Sequence, residues 1–216
     1  MISCCMIMLD EEFWVAKCLN EIRTYPVDEI IVVDGGSTDF TLDIIKNEYP
    51  EVKLYHHPMP LSFSEQRNIA KSYATSDWIL SLDADETLEN AMFIPRLIEE
   101  NQQYLAFSIP TRHMNTEQAD VDPHIRLFRN QPNINWFREV HEYLTLDGVC
   151  MNSHPAHMEG QAFTRYTPEV TLVHWAYTAP EAKLKAKAER YMKYNQFGAG
   201  IQINSVDDLL PNREAK

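Results

Sequence analysis

The sequence predicts one α/β domain with a mixed, mostly parallel central sheet flanked by helices. Three observations carry that expectation. Short apolar or β-branched runs alternate with segments of helical spacing through the first half of the chain. The helix-like segments stop before proline or a polar turn. Acidic clusters follow two of the strand-like runs, at the strand ends beyond which parallel α/β sheets bind ligands. With 216 residues, of which 44% are hydrophobic and 24% charged, the chain can bury a sizeable core.

The elements follow in order. Ile2–Leu9 is an apolar run suited to a buried strand. Glu12–Thr24 sets Phe13, Ala16, Leu19, Ile22 and Arg23 at helical spacing and ends before Pro26. Glu29–Val33 (EIIVV) is a second strand, and Asp34-Gly35-Gly36-Ser37 follows it. Ser37 is the expected N-cap of a helix that carries Leu42, Ile45 and Tyr49 and stops before Pro50. Val52–His56 is a third strand, Ser64–Ala74 a third helix, and Trp78–Leu82 (WILSL) a fourth strand ending at Asp83. This alternation implies right-handed crossovers and places the acids after EIIVV and WILSL on one edge. In the second half, Ala106–Thr111, Ile125–Arg129, Tyr143–Leu146 and Val170–Val173 look like strands. Residues 130–160 read as loop with short strands, Pro180 opens a helix to about Phe197, and Asn204–Lys216 is a polar tail.

The net charge of −13 disfavours nucleic acid as partner without excluding it, because acid repels the phosphate backbone. No apolar run reaches the roughly 18–20 residues needed to span a bilayer. Ile2–Leu9 has no basic flank and runs into Asp10, Glu11 and Glu12, unlike a signal peptide. Cys4, Cys5, Cys18 and Cys150 lack CxxC spacing and read as buried thiols in a reducing compartment. The expectation is a cytoplasmic protein.

The main chemical signal is Asp83-Ala84-Asp85-Glu86 at the end of a buried strand. Carboxylates one residue apart there can reach a hard cation, directly or through ligand, and Mg²⁺ or Mn²⁺ suits such oxygens. Asp34-Gly35-Gly36-Ser37-Thr38-Asp39 is neither a GxGxxG fingerprint nor a P-loop. Its glycines let backbone approach a ligand, and Asp34 can accept from a base N–H or a ribose hydroxyl; a tight turn with capping residues is the competing reading. Arg67, beside Asn68, can offer a guanidinium fork to phosphate or form an ion pair with Glu65 or another acid. Lys183, Lys187 and Arg190 lie along one helix face, read as solvated. Trp136, Phe137, Trp175 and Tyr177 can stack on a sugar but are read as core.

These pieces are similar to a known family. CMIMLDEE, IIVVDGGSTDFT and SEQRNIAKSYATSDWILSLDADE resemble the family 2 glycosyltransferases, which have the GT-A fold. RLFRN (Arg126–Asn130), FREVHEYL (Phe137–Leu144) and LVHWAYT resemble the branch with bacterial lipopolysaccharide-core glucosyltransferases. The resemblance covers most of residues 3–195. It implies a GT-A-like domain over residues 1–200, with a nucleotide-sugar-binding half (1–89), an acceptor-side half (90–200) and a polar tail (201–216). It further implies inverting sugar transfer from a nucleotide-diphosphate donor, UDP favoured, to a hydroxyl-bearing acceptor such as a glycan.

In that resemblance Asp34 and Arg67 contact the nucleotide, Asp85 binds Mn²⁺ or Mg²⁺, Asp83 reaches the donor ribose or the metal, and Ala84 belongs to the nucleotide-sugar-binding set. His174 is a further metal ligand, its competing reading a core histidine beside Trp175. Glu142 is the base, with His141 orienting it or touching the acceptor, and Glu139 is an alternative base. The family often reads Lys-Asn-Glu-Glu where this chain has Leu9-Asp10-Glu11-Glu12, which alters the fine nucleotide contacts. Two other classes stand beside this one: a sugar nucleotidyltransferase, whose glycine-rich N-terminal loop is missing, and a noncatalytic nucleotide-sugar-binding module.

Overall fold

A computed structural model describes residues 1–58, 62–114, 123–139, 141–151, 163–175, 178–186 and 189. The elements run β1 (Ile2–Met8), α1 (Val15–Ile22), β2 (Glu29–Asp34), α2 (Thr41–Glu48), β3 (Lys53–His56), α3 (Phe63–Ser72) and β4 (Trp78–Asp83). Then come β5 (Glu86–Glu89), α4 (Ile94–Glu100), β6 (Ala106–Ile109), β7 (Thr111–His113), β8 (His124–Arg129) and β9 (Ile134–Phe137). The last are β10 (Tyr143–Leu146), β11 (Val149–Cys150), β12 (Thr164–Tyr166) and β13 (Thr171–His174).

Seven strands form the central sheet in the order β12-β6-β8-β4-β1-β2-β3. β4, β1, β2 and β3 are mutually parallel, and β8 runs antiparallel between β4 and β6. All seven residues of β1 are buried, which is why ISCCMIM is a continuous apolar run without alternation. Its alternate side chains feed two cores. Cys4, Met6 and Met8 pack on one face with Leu19, Ile22, Leu80 and Leu82. Cys5 and Ile7 pack on the other with Ile31, Val33, Ile79 and Trp136. Each buried leucine or isoleucine contributes about 1.5–3 kcal/mol relative to exposure. Burial also pushes the Cys4 thiol up to about 12 and raises Cys5 and Cys18, so these thiols are inert fillers.

Helices cover the sheet where the spacing places them, with corrected starts. α1 begins at Val15 rather than Glu12, and α2 at Thr41. Ser37 is therefore not the cap of α2: Asp39 Oδ1 accepts from the Thr41 amide at 3.0 Å. Ser62 Oγ caps α3 by accepting from the Glu65 amide. The stretch expected as one strand over 106–111 is two, broken at Pro110, which has no N–H for a ladder. β7 leaves the central sheet to join β5 and β13 in a small sheet of order β5-β13-β7. Tyr25 ties that sheet to the helical layer, its hydroxyl donating to the Leu88 carbonyl and accepting from the Leu88 amide. After Pro180 the chain is helical over 181–186 and at 189; residues 190–197 of the expected helix (Arg190 among them), Tyr177, Lys187 and the tail lie outside the described residues. Among the described residues no helix is long and apolar enough to cross a membrane.

Candidate active site

Two strand ends bring acids together. Met8 pairs with Asp34 on one side of β1, and Ile7 with Asp83 on the other. The clusters after EIIVV and WILSL therefore share one edge, offset by a single residue. Parallel pairing in common register is what delivers both to the carboxyl end of the sheet.

Asp34 is fully buried. Its Oδ2 accepts from the Gly36 and Ser37 amides at 2.9 and 3.1 Å and meets His56 Nδ1 at 3.0 Å. Gly36 has φ 103°, a conformation that favours glycine and lets the loop fold back on the carboxylate. The loop is then laced to the turn after β1. Ser37 Oγ accepts from the Asp10 amide at 2.8 Å, and Thr38 donates to Asp10 Oδ1 at 2.7 Å. Glu12 and Phe40 complete the lacing through Asp39 and the Glu12 carboxylate. The residue expected to contact nucleotide thus shapes the loop from within.

Asp83 meets two guanidiniums. Arg67 Nη2 lies 2.7 Å from its Oδ1 and Arg126 Nη2 3.7 Å from its Oδ2. Arg67, only 5% exposed, also donates through Nε to Glu142 Oε1 at 2.7 Å. It thereby links the strand-end acid to the second half of the chain, where Trp136 lies under its guanidinium. Burial works against this cation, but Asp83 and then Glu142 overcome it and raise the Arg67 pKa. Burial likewise opposes the Asp83 charge, yet Arg67 and Arg126 hold its carboxyl below the ordinary value. Arg126 pairs most closely with Glu86 at 2.5 Å, while Glu86 Oε2 accepts from the Asp83 amide. Burial still raises the Glu86 pKa above the ordinary carboxylate value.

Asp85, by contrast, faces an imidazole. His174 Nε2 stands 3.5 Å from Asp85 Oδ2, and the Trp175 amide donates to the Asp85 carbonyl. The other ring nitrogen, Nδ1, is 2.7 Å from His113 Nδ1. Among the described residues no three His, Cys, Asp or Glu side chains converge into a preformed cation cage. The donor set still fits a divalent cation, because Mg²⁺-type sites use one or two carboxylates and take remaining ligands from water and substrate phosphate. Imidazole beside carboxylate suits Mn²⁺ better than Mg²⁺. Around it, buried Asp85 and Glu86 and half-buried Asp83 and Glu142 outweigh Arg67 and Arg126, leaving this edge acidic.

The remaining expectations fall as follows. Ala84 is buried in the core. His141 is exposed with φ 56°, and the side chain that meets Glu142 at 2.7 Å is Arg67. Glu139 gives its carbonyl to the Phe63 amide. Trp136 is core as expected, whereas Phe137 is 59% exposed on the outward side of β9. Lys183 is not simply solvated; it lies 3.6 Å from Asp39 and reaches the laced loop. Arg126 and His113 also carry site contacts, and nothing local in the sequence flags His113.

The fold and this acidic edge define a GT-A protein. Residues 3–158 match the family described as Glycosyl transferase family 2, and the chain belongs to it. It is 32% identical over 190 residues to a TPR repeat-containing protein of Synechococcus elongatus, covering 88% of this chain and 45% of that protein. It is 27% identical to the SPbeta prophage-derived glycosyltransferase SunS of Bacillus subtilis (88% and 43% covered). To the lipopolysaccharide core biosynthesis glycosyltransferase LpsC of Rhizobium meliloti it is 25% identical (70% and 60%). The chain thus spans less than half the length of the first two relatives. Among solved structures it is similar to S. aureus TarS 1-349 in complex with UDP-GlcNAc, with TM-score 0.56, 15% identity and 97% and 70% of the chains covered. It is also similar to the mannosyltransferase PcManGT of Pyrobaculum calidifontis in complex with GDP-Man and Mn²⁺ (TM-score 0.57, 15%, 92% and 65%).

Proposed function

We propose that the domain is an inverting, divalent-metal-dependent glycosyltransferase that moves a sugar from a nucleotide-diphosphate donor to a hydroxyl acceptor. A UDP-sugar is the favoured donor and a glycan the favoured acceptor. One observation carries the reading: at the carboxyl edge of a parallel sheet, Asp85 faces His174 while Arg67 holds Glu142 beside Asp83. Family membership and the nucleotide-sugar complexes of proteins with this fold support it.

The chain's own groups have separate tasks. Glu142, steadied at Oε1 by Arg67, takes the acceptor's hydroxyl proton on Oε2. As that proton leaves, the acceptor oxygen bonds the anomeric carbon from the face opposite the diphosphate. The carbon–oxygen bond to the diphosphate breaks, and its electron pair departs with the nucleoside diphosphate, which inverts the centre. Asp85 and His174 would hold Mn²⁺ or Mg²⁺, which would supply charge stabilisation for a diphosphate leaving group. Asp83, held by two arginines, serves the donor ribose in this reading, and the loop built on Asp34 serves the base.

Calorimetry with UDP, GDP, dTDP and CMP, with and without Mn²⁺, tests the donor site. Metal-dependent binding of one nucleotide, lost in Asp85→Ala, is expected; no binding to folded protein sinks the reading. Glu142→Gln is expected to lower turnover about 10²–10⁴-fold at unchanged nucleotide affinity. A noncatalytic binding module would show no turnover in the parent either.

A further inference from the structure

His113 sits one strand away from the proposed metal ligand and has no part in the reaction described above. β13 runs between β5 and β7, and its register sets His174 opposite Glu86 on one side and His113 on the other. Cross-strand neighbours share a face, so these side chains form a row across the small sheet. The two imidazoles meet edge to face, with Nδ1 to Nδ1 at 2.7 Å. A contact that short requires one nitrogen to carry a hydrogen and the other a lone pair.

The far side of His174 decides which. Its Nε2 lies 3.5 Å from Asp85 Oδ2, beyond the usual reach of an N–H donor. A divalent cation held between Asp85 and His174 needs the Nε2 lone pair, and the 3.5 Å spacing leaves room for one. The hydrogen of His174 is then on Nδ1, donated to His113. Resting on the metal reading of this site, we propose that His113 is a positioning residue: its Nδ1 accepts from His174 and fixes the tautomer that presents the Nε2 lone pair beside Asp85. Partners of this kind orient metal-binding histidines and raise their basicity.

The test is binding of Mn²⁺ to the full chain, alone and with UDP, read at neutral pH from the EPR signal of free Mn²⁺. His113→Phe fills the same space without an acceptor and is expected to weaken Mn²⁺ about 10–100-fold. His113→Asn, whose Oδ1 can stand where Nδ1 stood, is expected to recover most of that loss. A merely structural role predicts the reverse order, with Phe tolerated and Asn not. Wild-type affinity in His113→Phe, or Asn no better than Phe, would overturn the inference. His174→Ala separates the two levels: if it leaves Mn²⁺ binding intact, the metal reading itself fails, and the role of His113 with it. Long-range ¹H–¹⁵N NMR of the unsubstituted protein serves where a variant does not fold. An Nδ1-protonated His174 is expected, and an Nε2-protonated one refutes the proposal.

Discussion

The two ends of the central sheet both carry acids, and they satisfy them differently. At the amino end, Asp28 accepts from the Ile2 amide at 2.6 Å. Glu29 accepts from Ser3, from the amide and hydroxyl of Thr75, and from Lys53. These partners are mostly backbone and hydroxyl groups at strand starts, and they close the sheet. At the carboxyl end, Asp83 and Glu142 share Arg67, Asp83 and Glu86 share Arg126, and Asp85 faces His174. Acids there outnumber guanidiniums, and charges are bridged between halves of the chain. An edge that needed only stability would resemble the first arrangement; the second stores uncompensated negative charge where a cation and phosphates can use it.

The largest effect is expected where one cation serves two acids. Arg67→Met leaves half-buried Glu142 without its guanidinium and Asp83 with Arg126 alone, and should destabilise the fold by about 2–3 kcal/mol. Denaturant unfolding measures it. A loss below about 1 kcal/mol, the range of exposed pairs, would show that the two carboxylates are solvated and that the bridge is not structural.

Asp34 belongs to the same edge but behaves like an amino-end acid, serving its own loop. Asp34→Ala removes the acceptor of the Gly36 and Ser37 amides and should cost about 1–3 kcal/mol. Nucleotide binding should fall with it, as the loop loses its anchor. The sharper variant is Asp34→Asn, compared for stability and UDP affinity. Parallel losses support a loop-building role. Preserved stability with a tenfold loss of UDP binding would instead place the carboxylate on the nucleotide.

How far the sequence disclosed this edge depends on what placed each residue. β1, β2 and β4 are buried on both faces, so their apolar runs are visible and the acids at their ends fall into place. β5, with sequence ETLE, has no strand pattern; it is extended because β13 pairs with it, a tertiary override of local preference. β9, β11 and β12 are two to four residues long and equally silent. The proposed ligands Asp85 and His174 rest on family motifs, whereas His113 becomes visible only through the register of β7 on β13. The Arg67–Glu142 bond joins residues 75 apart, so no local spacing points to it.

The smallest effect is expected at the amino end and concerns pH. Burial would raise the Glu29 pKa, but Lys53, Ser3 and Thr75 together lower it from 4.5 to about 2. A carboxylate whose pKa is depressed on folding contributes stability above its unfolded value. That contribution is complete above pH 4.5 and fades as pH falls toward about 2. Glu29→Gln should therefore lower stability at neutral pH and flatten its dependence across that acid window, leaving UDP binding unchanged because the residue lies at the other end of β2 from Asp34. Denaturant midpoints against pH for the two proteins give the answer. If the slopes are the same, the strand-start bonds of Glu29 do not discriminate folded from unfolded chain, and the contrast between the two edges rests on the carboxyl end alone.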